Sequence, residues 1–233
     1  EASDSLVDLN RSGVPLLEIV GEPDLRSPQE AYDYLTNLRA LLSWLDVSNC
    51  DMEKGELRVD VNVSVRPKGQ EKFGTRMEIK NLNSFKAVKD ALTYEINRQI
   101  TAVKEGQPLH QQTMLWDEVK GETKVMRSKE TAQEYRYFPE PDLKPLIITD
   151  EQIEEVRKTM PMLPAQKREY FEKELGLAAY DAGVLTKSRQ ITEYFEKVLS
   201  CGAPAKQASN WIGTDLLGAL NAAGKEIEES PIK

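Results

Sequence analysis

Two short runs constrain the architecture more than any other part of the chain. In residues 57–65, Leu57-Arg58-Val59-Asp60-Val61-Asn62-Val63-Ser64-Val65, apolar and polar side chains alternate without a break, and residues 75–80, Thr75-Arg76-Met77-Glu78-Ile79-Lys80, alternate likewise. A period of two is that of a strand with one buried and one wet face. Pro67, Lys68, Gly69 and Gly74 lie between the runs, so the stretch predicts a β-hairpin. Matching the two polar faces sets Asp60 near Glu78, Arg58 near Lys80 and Asn62 near Arg76. Such a register opposes like charges twice, which is unfavourable. A hard cation between the carboxylates and a polyanion over the basic residues would relieve both conflicts. The plain alternative is that all five charged residues are solvated or pair with one another on a wet sheet face.

Around the hairpin, Ser27-Pro28-Gln29-Glu30 forms a capping-box pattern with proline at the first helical position. Leu35, Leu38, Leu41, Leu42 and Leu45 follow at helical spacing. Ser84 opens a second helix with Phe85, Val88, Leu92, Ile96 and Val103 on one face and Gly106 at its end. Residues 111–127 read as a second hairpin turning at Lys120-Gly121. Residues 135–145, rich in proline and aromatics, read as extended. From Thr149 onward the pattern is helical, over about 150–159, 164–175, 187–200 and 204–223, with Trp211, Ile212, Leu216 and Leu220 expected in the core. The expected fold class is therefore α+β over residues 1–145, built on an antiparallel sheet, followed by an all-α domain over 146–233.

Composition narrows the function classes. Thirty-one basic against 39 acidic residues leave a net charge of −8 over 233 residues, so any nucleic-acid contact must be local. Cys50 and Cys201 make neither a disulfide framework nor a zinc site, which fits a reducing cytoplasm. No apolar run has membrane-spanning length. His110 falls in a loop and reads as surface. The lone histidine and two scattered cysteines make no Cys-His nucleophile set.

Longer irregular stretches carry a family resemblance. They are Asp8-Leu9-Asn10-Arg11-Ser12-Gly13-Val14-Pro15-Leu16-Leu17-Glu18-Ile19-Val20, the run 57–64, and Met77-Glu78-Ile79-Lys80-Asn81-Leu82-Asn83-Ser84-Phe85. Further on come Leu115-Trp116-Asp117-Glu118, Met126-Arg127-Ser128-Lys129-Glu130 and Tyr135-Arg136-Tyr137-Phe138-Pro139-Glu140-Pro141-Asp142-Leu143. With these the chain resembles the GatB family, the B subunits of the aspartyl/glutamyl-tRNA(Asn/Gln) amidotransferases. It lacks the large insertion expected after Leu146 in the archaeal E-type relatives. The resemblance implies a fragment covering about the middle half of the family's length. A family Glu and His of the metal site would lie N-terminal to it, and a tRNA-gripping tail domain C-terminal to it.

The resemblance further implies a cradle similar to glutamine synthetase, with ATP and Mg²⁺ as cofactors. The carboxylate of Glu-tRNA(Gln) or Asp-tRNA(Asn) would be phosphorylated and then amidated. Ammonia would come from a partner amidase (A) subunit, within a complex that includes a small C subunit. On that reading Asp60 and Glu78 are Mg²⁺ ligands, and Arg58, Arg76 and Lys80 hold phosphates. Arg11, Glu18 and Asn81 lie in matched motifs but read first as caps and turns. Residues 135–138, although they resemble an aromatic-basic RNA contact, read first as an extended segment pinned to the core by its aromatics. The competing function is a non-catalytic tRNA- or subunit-docking scaffold. Carboxylates of Asp60 and Glu78 on opposite sheet faces would favour it.

Overall fold

The computed structural model describes residues 7, 9–10, 13–126 and 142–232. Its first half is α+β. Helix α1 (Pro28–Trp44) starts where Ser27 Oγ accepts the Glu30 N–H at 3.1 Å. The other arm of the expected box lands elsewhere, since the Glu30 carboxylate takes the N–H of Arg26. Strands β1 (Val59–Val63) and β2 (Met77–Leu82) pair antiparallel, as the alternation predicts. Helix α2 (Phe85–Lys104), capped by Ser84, then leads to β3 (Gln112–Asp117), and β3 turns through Gly121 into β4 (Glu122–Val125).

The sheet, in order β1-β2-β3-β4, is mixed rather than antiparallel, because β2 and β3 run parallel. The cause is α2. A 20-residue helix between the two strands carries the chain back across the sheet, so β3 re-enters in the direction of β2.

One face of the sheet packs on α1 and α2. Ile79, Leu82 and Trp116 meet Ala31, Leu35, Ala87, Val88, Ala91 and Leu92 there. Ile79 and Leu82 are three apart yet share that face, because a β-bulge sets Lys80 and Asn81 together opposite the single residue Asp60. Asn81 adopts φ +64°, a conformation asparagine tolerates better than most residues, and its side-chain amide donates to Trp116 O at 2.9 Å. Its role in the fold is structural. The buried stripe of α2 differs from the expected one. Val103 is 49% exposed, while Glu95 and Gln99 are fully buried.

Residues from 150 onward are helical: α3 (Asp150–Thr159), α4 (Pro164–Lys173), α5 (Ala179–Leu185), α6 (Arg189–Ser200), α7 (Ala205–Asn210) and α8 (Leu217–Ala223). The seven-residue α5 was not legible in the sequence, and a π-helical segment (Trp211–Leu216) joins α7 to α8. A second core gathers Phe171, Leu185, Phe195, Ile212, Leu216, Leu220 and Ile227. Trp211 is not part of it and is 59% exposed. It precedes by one residue the buried line of Ile212, Leu216 and Leu220 and so projects to one side of it. Trp44, buried at the end of α1, donates from Nε1 to Met162 O at 3.1 Å, and Arg189 pairs with Asp46 at 2.9 Å, so the two halves touch. Among the described residues no helix is long and apolar enough to cross a membrane.

Candidate active-site face

The second face of the sheet carries the charged residues, and no described helix covers it. Strand alternation turns Asp60, Asn62, Glu78, Lys80 and Thr113 away from the core. The register differs from the expected one by two residues. Asn62, not Asp60, stands opposite Glu78, and Asp60 faces the bulge at Lys80 and Asn81. A two-residue slip leaves every side chain on its original face, so the apolar pattern could not tell the two registers apart.

The slip changes the electrostatics. Lys80 Nζ lies 3.3 Å from Glu78 Oε1 and 3.8 Å from Asp60 Oδ2, with all three side chains about a third to two-fifths exposed. The repulsion expected between the carboxylates is relieved by an ammonium already placed between them, and the expected approach of Arg58 to Lys80 is not formed. Thr113, directly beside Glu78 in the parallel register, donates its hydroxyl to Glu78 Oε2 at 2.9 Å. The two oxygens of Glu78 are thus divided between a neutral donor and a cation. Next along the face, the Lys124 ammonium on β4 pairs with Asp117 on β3 and, helped by the Lys120 N–H, holds its carboxyl below the usual range.

Arg58 and Arg76 are exposed and have no ion-pair partner among the described residues. They stand at opposite ends of the hairpin, beyond the bulge and before Met77. Glu18 and His110 are exposed as well. Cys50 is buried and Cys201 exposed, both as free thiols. Arg11 and residues 135–138 lie outside the described residues. The described residues contain no cluster of three or more metal-ligating side chains. Asp60 and Glu78 nevertheless make a donor pair that suits Mg²⁺. This ion takes one or two carboxylates and fills its other positions with water or phosphate. Both carboxylates already converge on one cationic group, the Lys80 ammonium. A surface cavity of about 730 Å³ beside Met160, Met162 and Tyr170, between α3 and α4, is lined by none of these groups.

A buried network on the opposite side of the sheet is absent from the sequence-based expectations. Glu95 accepts two hydrogen bonds from Arg98 (2.7 and 2.9 Å), one from Gln99 (3.0 Å) and one from Thr123 of β4 (2.8 Å). Gln99 also holds β1, accepting the Val65 N–H at 3.2 Å and donating to Val63 O at 3.4 Å. Burial pushes the Glu95 carboxyl up, but the bonds from Arg98, Gln99 and Thr123 outweigh it and hold the group below its ordinary range. The signal was available. Residues 88, 92, 95, 99 and 102 form one helical stripe, and two of the five are polar.

Sequence comparison agrees with this architecture. Residues 1–154 match the GatB/GatE catalytic domain family. The chain is 56% identical over 231 residues, 99% of its length, to the aspartyl/glutamyl-tRNA(Asn/Gln) amidotransferase B subunit of Elusimicrobium minutum, of which it covers 49%. It is 55% identical over 229 residues to the protein of the same name from Gloeothece citriformis and 54% identical to that from a Thermoanaerobacter species, covering 46% and 48% of them. The chain spans about half the length of these curated relatives. With the family match extending over both the hairpin and the crossover to β3 and β4, the chain belongs to the GatB/GatE catalytic domain family.

Proposed function

We propose that this chain is part of the synthetic subunit of a tRNA-dependent amidotransferase. Residues 1–145 would supply a portion of a cradle similar to glutamine synthetase, and residues 146–233 an accessory helical domain. Two separate hydrophobic clusters, and the lack of strands after Val125 among the described residues, support that division. In the full-length protein, one side-chain carboxylate oxygen of Glu-tRNA(Gln) or Asp-tRNA(Asn) attacks the γ-phosphorus of ATP. An O–P bond forms, the bond from that phosphorus to the β,γ-bridging oxygen breaks, and ADP leaves. Ammonia from a partner amidase subunit, in a complex with a small third subunit, then attacks the acyl carbon. The C–O bond to phosphate breaks, the amide nitrogen sheds a proton, and inorganic phosphate leaves.

The single observation that carries this reading is the convergence of Asp60 and Glu78 on Lys80 over the uncovered sheet face. Shared-face carboxylates suit phosphoryl transfer, which depends on positioned charge more than on covalent help from the protein. Mg²⁺ held by Asp60 and Glu78 would neutralise phosphate charge. Lys80, within reach of the same point, would turn to a phosphate oxygen. Arg58 and Arg76, at opposite ends of the hairpin, would hold separate anionic groups rather than one phosphate.

Asp60→Ala in the full-length, partner-bound protein tests the assignment. ATP-dependent activation of the tRNA-linked carboxylate should fall on the order of a thousandfold, as expected when a metal ligand is removed from a phosphoryl-transfer site. Glutamine hydrolysis by the partner should persist. The Asp60–Lys80 pair is partly exposed, so its loss should change stability by less than about 1 kcal/mol. A variant that melts normally and amidates Glu-tRNA at the parental rate would refute the assignment.

A further inference from the structure

We propose that Thr113 is a positioning residue that sets the metal preference of the sheet-face site by keeping one oxygen of Glu78 engaged. The proposal rests on the reading of Asp60 and Glu78 as Mg²⁺ ligands. Its geometry comes from the parallel pairing of β2 and β3. Glu78 and Thr113 are register partners, and the Thr113 hydroxyl donates to Glu78 Oε2 at 2.9 Å. The other oxygen, Oε1, is turned to the shared cationic position, 3.3 Å from Lys80 Nζ. Thr113 itself is tied down, because its carbonyl accepts the Met126 N–H at 2.9 Å as the chain leaves β4. A hydroxyl on a pinned backbone, half-buried beside a half-buried carboxylate, restricts which oxygen Glu78 can present.

That restriction discriminates between cations. Mg²⁺ binds at about 2.0–2.1 Å with near-octahedral geometry and keeps most of its waters, so one oxygen per carboxylate suffices. Ca²⁺ takes about six to eight oxygens at about 2.3–2.6 Å and readily accepts both oxygens of one carboxylate. With Oε2 accepting from Thr113, one of its two lone pairs is committed and the carboxylate is held with Oε1 forward, so the two-oxygen mode must turn it against that hydrogen bond. Removing the hydroxyl frees Oε2 and opens that mode. Hydrogen-bond partners of metal ligands commonly change metal affinity by about 10–100-fold.

The test uses full-length protein with a non-hydrolysable ATP analogue. Mn²⁺ serves as the spectroscopic probe, read by electron paramagnetic resonance, and Mg²⁺ or Ca²⁺ competes for its site. Thr113→Val keeps the β-branched shape that a strand favours. It should shift the Ca²⁺/Mg²⁺ affinity ratio toward Ca²⁺ by roughly tenfold, and Thr113→Ser should restore the parental ratio. Glu78→Gln provides the reference and should weaken Mn²⁺ binding. If Glu78→Gln weakens Mn²⁺ binding but Thr113→Val leaves the ratio unchanged, the role of Thr113 is overturned and the metal site stands. A Thr113→Val variant that loses both competing ions equally and is not rescued by serine shows a merely structural role, which also overturns it. If Glu78→Gln leaves Mn²⁺ binding unchanged, the metal-site reading itself fails, and the inference with it.

Discussion

Replacing Glu95 should reveal how much of the sheet hangs on α2. The carboxylate is fully buried and accepts four hydrogen bonds, two from Arg98 and one each from Gln99 and Thr123. Glu95→Ala leaves the Thr123 hydroxyl and one amide proton of Gln99 without their acceptor in a dry environment, at about 1–3 kcal/mol for each donor left unpaired. Arg98, a third exposed, can hydrate, so its share is smaller than that of a fully buried partner. The sum, about 3–5 kcal/mol, matches the usual cost of removing one member of a buried ion pair. Glu95→Gln keeps the shape and should cost less, about 2–3 kcal/mol, because its amide presents a donor where only donors arrive.

Urea unfolding at several pH values measures both the size and the charge dependence. The folded-state pKa of Glu95 lies below its ordinary value of 4.5. The unfolded state therefore binds the extra proton. The stabilisation is full above about pH 4.5 and is lost as pH falls through the folded pKa. The gap between parent and Glu95→Gln should be widest at neutral pH and close below pH 4.5. A gap under about 1 kcal/mol at neutral pH, or one that does not change with acid, would refute the reasoning.

Other substitutions probe the sheet face and its loop. Lys80→Met removes the ammonium that competes for Asp60 and Glu78. It should tighten Mn²⁺ binding while lowering ATP-dependent activation, and weaker metal binding would count against Lys80 as the placeholder. A Cβ at Gly74 would collide with Val65 O in the loop joining β1 to β2. Gly74→Ala should therefore destabilise by about 1–3 kcal/mol in thermal melts, and a neutral result would mean that the loop closes differently.

Much of this molecule follows from sequence by local rules. The alternation at residues 57–65 and 75–80 determined which side chains share a face, because that choice depends only on the two-residue period of a strand. Helix starts at Ser27, Ser84 and Thr149 were legible because a capping oxygen acts within three residues. The family was legible in long irregular motifs. Tertiary structure decided what local rules leave degenerate. A two-residue register slip conserves faces, so only the bulge at Asn81 and the packing of Ile79 and Leu82 place Lys80, rather than bare repulsion, between the carboxylates. The α2 crossover alone brings Thr113 beside Glu78, from 35 residues away. Glu95 and Gln99 look misplaced on an apolar stripe until Thr123 and the end of β1 close around them. The site is a product of strand neighbours, and neighbour identity is a long-range property that no single stretch of this chain carries.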